Sequence, residues 1–187
     1  MSKETSGLSQ WVKRVFLKYV TGYRNEQKYW DSRWKLGLRD EEWTEDEQRG
    51  MIRLLENLMA EHQCQTLLDV GCGNAKLRNL HGYVGLDFSL EGIKRSGLKE
   101  AVFADITNRI PLPDKSFDAA FARTVLLHIS PDKIERAVSE VCRVTKKCLI
   151  LLEPHYQPNN PKLQIHCFNH NLPEMVGRYF DGDVIFL

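Results

Sequence analysis

At 187 residues the chain has room for one well-packed domain and not for two of ordinary size. Hydrophobic residues make up 42% and charged residues 27%, the balance of a globular protein in water, and no apolar run approaches the roughly eighteen residues of a membrane span. A net charge of +1 argues against a dedicated nucleic-acid binder, and five cysteines without C-x-x-C spacing argue against a disulfide framework.

The first 39 residues hold nine Lys/Arg and three Asp/Glu, a balance of +6, and residues 40–48 then hold six acids and no base. Within the basic arm, Leu8, Trp11, Val12, Val15, Phe16, Tyr19 and Val20 recur at helical steps, which predicts an amphipathic helix. A second helical stretch is expected from Glu26 to Leu36, carrying Tyr29, Trp30 and Trp34. Thr44 with Glu47 three residues later forms a capping-box pattern. It opens a helix whose apolar face holds Met51, Leu54, Leu55, Leu58 and Met59. Residues 1–62 are therefore expected to form an N-terminal helical cap and residues 63–187 an α/β domain.

From Gln65 the pattern becomes βα alternation, with strands expected near 66–70, 82–87, 101–104, 117–122 and 147–153. The clearest intervening helix runs from Pro131 to Thr145, with Ser130 as its cap and Pro131 in its first turn. Apolar parallel strands flanked by helices predict a doubly wound, mostly parallel Rossmann-like sheet. Ligands of such sheets bind beyond the carboxyl ends of the strands. Near the C-terminus, Asn171 is placed to cap a short helix over Leu172–Tyr179, and Asp183–Leu187 reads as a strand. His166–Asn169 is a further strand candidate, and this end looks abbreviated.

The decisive run is Leu67-Leu68-Asp69-Val70-Gly71-Cys72-Gly73-Asn74-Ala75, with Asp87 fourteen residues beyond Gly73. An apolar strand enters a glycine turn, and a second short strand ends on a carboxylate. Glycines allow close backbone approach to a ligand, and an Asp accepts two hydrogen bonds from a ribose diol. Lys76 stands where the dinucleotide pattern G-x-G-x-x-G needs its third glycine, and no G-x-x-x-x-G-K-[ST] run is present.

Asp69-x-Gly71-x-Gly73-x-Ala75 resembles the first motif of class I S-adenosylmethionine-dependent methyltransferases, which usually have a third glycine where Ala75 stands. The resemblance continues in order. Asp87 ends the second strand, and Ala101-Val102-Phe103-Ala104-Asp105-Ile106 matches the third-strand motif. The run from Ile110 to Phe121 matches the approach to the fourth strand. The helix from Glu135 to Arg143, followed by Cys148 to Pro154, matches the helix and fifth strand. The match spans roughly residues 64–156, and the short stretch between Asp69 and Asp87 implies an abbreviated helix after the glycine turn.

What the resemblance implies is a class I fold using S-adenosylmethionine as cofactor. Gly71, Gly73 and Asn74 would pass its methionine end, Asp87 its ribose, and Asp105 with Ile106 its adenine. Arg123 would lie beside the sulfonium through its backbone carbonyl. Asp69, Cys72, Phe88, Ser89 and Thr124 complete the expected cofactor contacts.

No single catalytic residue is required, because positioning against an activated methyl supplies much of the rate. His128, near the site mouth, is the acid/base candidate, set against a packing role. Glu153 and His155 are further candidates. His166, Cys167 and His170 carry metal-ligating chemistry but lack an obvious fourth ligand, and no metal is expected.

The aromatic set Trp11, Tyr19, Tyr23, Tyr29, Trp30 and Trp34 either forms a lid over the acceptor or packs helices on the sheet. The Tyr29–Trp34 stretch is faintly similar to the segment preceding the domain in small-molecule methyltransferases of the thiopurine type. The expectation is methyl transfer to oxygen or nitrogen of a small-molecule acceptor, in the cytoplasm. The alternatives are a non-catalytic methyltransferase-like binding module, and an enzyme on a lipid or macromolecular acceptor that uses the basic arm.

Overall fold

The computed structural model describes residues 27–37, 43–158, 162–164 and 167–187. The helix expected over Leu8–Val20, most of the basic arm, Tyr23 and His166 lie outside them. Two helices, α1 (Gln27–Leu36) and α2 (Glu45–Glu61), precede β1 (Leu67–Val70) and β2 (Tyr83–Asp87). Next come α3 (Leu90–Ser96), β3 (Ala101–Phe103), β4 (Phe117–Arg123) and a 3₁₀ turn at Leu126–His128. They are followed by α4 (Ile134–Val144), β5 (Thr145–Leu152), β6 (Lys162–Gln164), β7 (Cys167–Phe168), α5 (Leu172–Tyr179) and β8 (Asp183–Phe186).

Strand side chains alternate between faces, and the chain makes both faces apolar. Leu68, Val70, Ala120, Ala122, Leu149 and Leu151 join Ile134, Ala137, Val138 and Val141 of α4 and Leu172 and Val176 of α5 in one core. On the other face, Leu67, Ala119, Phe121, Cys148 and Ile150 pack with Leu55 and Met59 of α2. The expected α2 face is therefore real except at Leu54, which is 37% exposed. Its capping box forms: Thr44 Oγ1 accepts from Glu47 N at 3.2 Å, and Thr44 N donates to Glu47 Oε2 at 2.7 Å.

The sheet has six strands in the order β3-β2-β1-β4-β5-β8, and every adjacent pair is parallel. This is the doubly wound arrangement expected. Val70 of β1 is level with Leu86 on one side and Ala122 on the other, so Gly71, Asp87 and Arg123 emerge together at the carboxyl edge. Between β1 and β2 the chain forms turns with no regular helix, so the abbreviation expected there is complete.

Three local expectations need correction. The fourth helix begins at Ile134, because Ser130 O accepts from both Lys133 N and Ile134 N and closes a turn first; Ser130 does not cap it. Asn171 stands at the start of α5 without a side-chain cap bond and donates instead to Glu174 Oε2 at 2.7 Å. Part of the His166–Asn169 segment is a strand, β7, but it pairs antiparallel with β6 in a separate two-stranded sheet.

Arg143 ties down the segment leading into β4. It donates to Glu140, Asp114 and the carbonyls of Ile110 and Leu112, while Glu140 Oε2 accepts from Ile110 N at 2.8 Å. All five cysteines are buried thiols.

Candidate active site

The glycine turn bends because its residues adopt left-handed backbone angles. Gly71 has φ +71° and Gly73 φ +52°, a region that costs glycine nothing. Ala75 also sits there, at φ 52°. Gly71 N and Cys72 N both donate to Leu86 O, at 2.7 and 3.0 Å, fastening the turn to β2. Across the turn, Gly73 N donates to Asp87 Oδ2 at 2.8 Å, and Ser89 N donates to Asp87 Oδ1 at 2.8 Å.

Asp87 is 8% exposed, and burial raises its pKa, partly offset by the amides of Ser89 and Gly73. Asp69, 6% exposed, accepts from the Tyr83 hydroxyl at 2.7 Å; burial pushes its pKa up to about 7. Two buried carboxylates thus stand beneath one glycine turn.

Walls rise on two sides. A Cβ on Gly71 would collide with Val125 Cγ2, so the chain after β4 packs directly over the first glycine. A Cβ on Gly73 would stand 2.8 Å from Trp34 Cζ2, and one on Gly92 2.9 Å from Trp34 Nε1. Trp34 therefore lies between the glycine turn and the first turn of α3. Asp31 fixes it there: its Oδ1 accepts from Ser89 Oγ at 2.6 Å and Glu91 N at 3.1 Å. One turn earlier on α1, Trp30 meets the His128 ring edge-on, with centroids 5.0 Å apart.

The structural comparison follows the same lines. The profile described as "Methyltransferase domain" matches residues 68–150, from β1 to within β5. Residues 68–150 are thus similar to the methyltransferase domain of class I S-adenosylmethionine-dependent enzymes, and the sheet has that fold.

Among solved structures, a SAM-dependent methyltransferase from Archaeoglobus fulgidus has the same fold at 18% identity and TM-score 0.51, covering 71% of this chain and 68% of that one. A putative methyltransferase from Bacillus halodurans is similar at 24% identity and TM-score 0.48, covering 59% of this chain and 53% of that one. PH0226 from Pyrococcus horikoshii matches at 25% identity and TM-score 0.43, with 54% of each chain covered. The chain thus spans between about half and two thirds of these relatives. The cofactor of the family that this domain resembles is S-adenosylmethionine.

The methyltransferase domain's residues suit that cofactor. The turn at Gly71 and Gly73 has no room for side chains, and each Asp87 oxygen, engaged by one amide, keeps a lone pair for a hydroxyl donor. Several of the residues expected to touch the cofactor also hold the fold. Cys72 is buried, and its Sγ lies 2.7 Å from where a Cβ on Gly85 would stand, so its side chain packs against β2. Ser89 is fully buried and caps α3 by accepting from Gly92 N at 3.1 Å.

Asp105 spends both oxygens on its own turn, accepting from Thr107 and Asn108, and Ile106 belongs to the core. The carboxylate expected to face adenine thus also shapes its own turn. Arg123 places its guanidinium 4.5 Å above the Trp43 ring, and Thr124 follows in a left-handed conformation at φ 51°. Asn74 and Phe88 are partly buried at the turn and at the end of β2.

His128 ends the 3₁₀ turn with Cys167 Sγ 3.7 Å from its Nδ1, while His155 is exposed after β5. His170 is buried against Ile129 O at 2.8 Å, and burial lowers its pKa. Among the described residues no group of three acid, Cys or His side chains is arranged to hold a metal. No helix among them is long and apolar enough to cross a membrane.

Sequence reasoning missed the docking of Asp31 and Trp34 on the cofactor turn and the engagement of Glu153. The only local signal for the first was the density of rings and charges in Tyr29–Trp34.

Proposed function

We propose that the protein transfers the methyl group of S-adenosylmethionine to an oxygen or nitrogen of a small-molecule acceptor. The observation that carries this reading is the bond from Gly73 N to Asp87 Oδ2, which brings the backbone turn and the diol-accepting carboxylate to one edge of the sheet. Bound S-adenosylmethionine supplies a methyl already activated as a sulfonium substituent. The chain's own residues then have to hold, orient and exclude water.

Gly71, Gly73 and Asn74 line the methionine end, and Asp87 accepts from the ribose. The edge of β3 at Ile106 borders the adenine, with Asp105 shaping its turn. The Arg123–Thr124 backbone closes the sulfonium side. Trp34 and Val125 flank this channel, so both walls already touch the glycines that define it.

The small size of the acceptor is supported by what surrounds His128. Trp30 of α1 lies against one side of its ring and Cys167 of β7 against another, which narrows the approach to His128. His128 is the group placed to take a proton from the acceptor, imidazole being suited to proton movement near neutral pH.

Calorimetry of the full chain with S-adenosylmethionine and S-adenosylhomocysteine tests the cofactor half. Micromolar binding that is lost in Asp87→Ala is expected, and no heat on folded parent protein would sink it. A thioether-release assay across small amines, phenols and carboxylic acids then tests the acceptor half. Turnover on protein or vesicle acceptors alone would replace it.

A further inference from the structure

Glu153 closes β5 in a way that the strand itself does not require. The last register pair between β4 and β5 is Arg123 with Leu152, and Thr124 N donates to Leu152 O at 3.0 Å. Beyond that pair the main-chain ladder stops, because Pro154 has no N–H and holds the preceding residue extended.

The side chain of Glu153 takes over where the backbone ends. Its Oε1 accepts from Val125 N at 2.8 Å and Leu126 N at 3.0 Å, and its Oε2 accepts from Leu127 N at 3.3 Å. Three successive amides that open a 3₁₀ turn would otherwise lack acceptors. Burial pushes the Glu153 pKa up to about 7, against the pull of these three amides.

The turn held in this way has two ends that matter. At one, Val125 packs over Gly71, the first glycine of the cofactor turn. At the other, His128 faces Trp30 and Cys167. Just before the turn the backbone passes through Thr124 at φ 51°, a conformation that a β-branched residue keeps only when its surroundings impose it. Nothing else among the described side chains accepts from these three amides.

We infer that Glu153 is a positioning residue whose carboxylate sets the partition between the cofactor turn and the acceptor side, acting through Val125 on Gly71 and through the 3₁₀ turn on His128. This rests on the methyltransferase reading above. Glutamine keeps the shape of the side chain but replaces one acceptor oxygen with an NH₂ group. That group faces an amide donor, so the turn loses its grip at Leu127 first.

The test uses the full chain and S-adenosylhomocysteine as probe. Glu153→Gln and Glu153→Asp are compared with Val176→Ala, a core truncation on α5, the helix that packs against α4. Glu153→Gln is expected to weaken binding by at least about tenfold, the scale of lost charge-assisted hydrogen bonds. Glu153→Asp should recover part of that loss, while Val176→Ala should lower the melting temperature with affinity within about twofold.

Amide hydrogen exchange supplies the second readout. Val125, Leu126 and Leu127 should exchange faster in Glu153→Gln, with the β4–β5 amides unchanged. If the glutamine variant does not fold, the aspartate variant and its exchange pattern carry the comparison. The inference is overturned if the Glu153 variants bind within twofold of the parent, or lose no more affinity than Val176→Ala does. A parent that binds no S-adenosylhomocysteine overturns the methyltransferase reading and the inference with it. Normal parent binding beside an indifferent Glu153→Gln overturns the inference alone.

Discussion

Gly73 donates its amide hydrogen to Asp87 across 2.8 Å, so the turn after β1 and the carboxylate ending β2 are joined before any ligand arrives. The bond fixes the carboxylate's rotamer, and rigid placement of a polar group is what makes its hydrogen bonds selective. Because Ser89 N holds the second oxygen, Asp87 is oriented by two amides of opposite origin.

Asp87→Asn should therefore separate shape from acceptor capacity. The amide fits the same space but can accept at only one of its two terminal atoms, so either Gly73 N or Ser89 N loses its partner. A fall in affinity for S-adenosylhomocysteine of about tenfold to a hundredfold is expected, with the protein still folded. Calorimetry beside far-UV circular dichroism measures both. Unchanged affinity would remove Asp87 from the ribose site.

Carboxyl groups raised by desolvation work against the fold as pH climbs from mildly acid to mildly alkaline. Asp69 and Glu153 are each pushed up to about 7 by burial. A folded-state pKa above the unfolded value favours the fold at low pH, and that contribution is lost as pH rises through the folded pKa. The depressed carboxylates, Asp118 and Glu140, titrate below their ordinary values and leave this window untouched. Asp87, raised by burial, acts in the same direction, while His170, lowered by burial, costs stability at the acid end. The Asp69 share is therefore read by difference: melting temperature between about pH 5 and 8 should fall more steeply, or rise less, in the parent than in Asp69→Asn. Equal slopes in the two proteins would show that Asp69 ionises freely.

The sheet, and the placing of Asp87 beside the glycine turn, could be read from local pattern. Leu67–Val70 and Leu149–Leu152 are apolar runs of strand length, and Asp87 lies in register with the glycine turn because β1 and β2 are adjacent parallel strands. What resisted reading depends on contacts far along the chain. Trp34 reaches Gly73 and Gly92 through the docking of a whole helix, which leaves no period in the sequence. Glu153 bonds backbone amides 26 to 28 residues away, and backbone amides carry no residue signature. At Asp105 pattern alone leaves two readings, turn and ligand, and the turn hydrogen bonds are present.

Thr44 offers a control that should move stability and leave the site alone. Its hydroxyl and amide exchange bonds with Glu47 at the start of α2, the helix whose Leu55 and Met59 cover the sheet. Thr44→Ala removes the cap at a cost of about 1 kcal/mol, which for a domain of this size lowers the melting temperature by about 2–4 °C. Affinity for S-adenosylhomocysteine should stay within experimental error of the parent. A change in affinity would mean that α2 communicates with the glycine turn.

Gly92→Ala sets helix propensity against docking. Alanine in the first turn of α3 gains up to about 1 kcal/mol over glycine in helix-forming tendency, so by local physics alone the variant should be more stable. The added Cβ, however, would stand 2.9 Å from Trp34 Nε1 and 3.4 Å from its Cδ1 and Cε2, closer at the nearest atom than packed side chains tolerate. The indole ring is broad and wedged against Gly73, so it cannot swing aside without lifting α1 from the turn. The bonds from Ser89 and Glu91 to Asp31 would then be strained or broken. The expected result is faster amide exchange and faster tryptic cleavage at Arg33 and Lys35, with α3 itself as protected as in the parent. If α1 stays equally protected and the protein is simply stabilised, Trp34 has room to yield, and α1 does not bear on the cofactor turn as tightly as these contacts require.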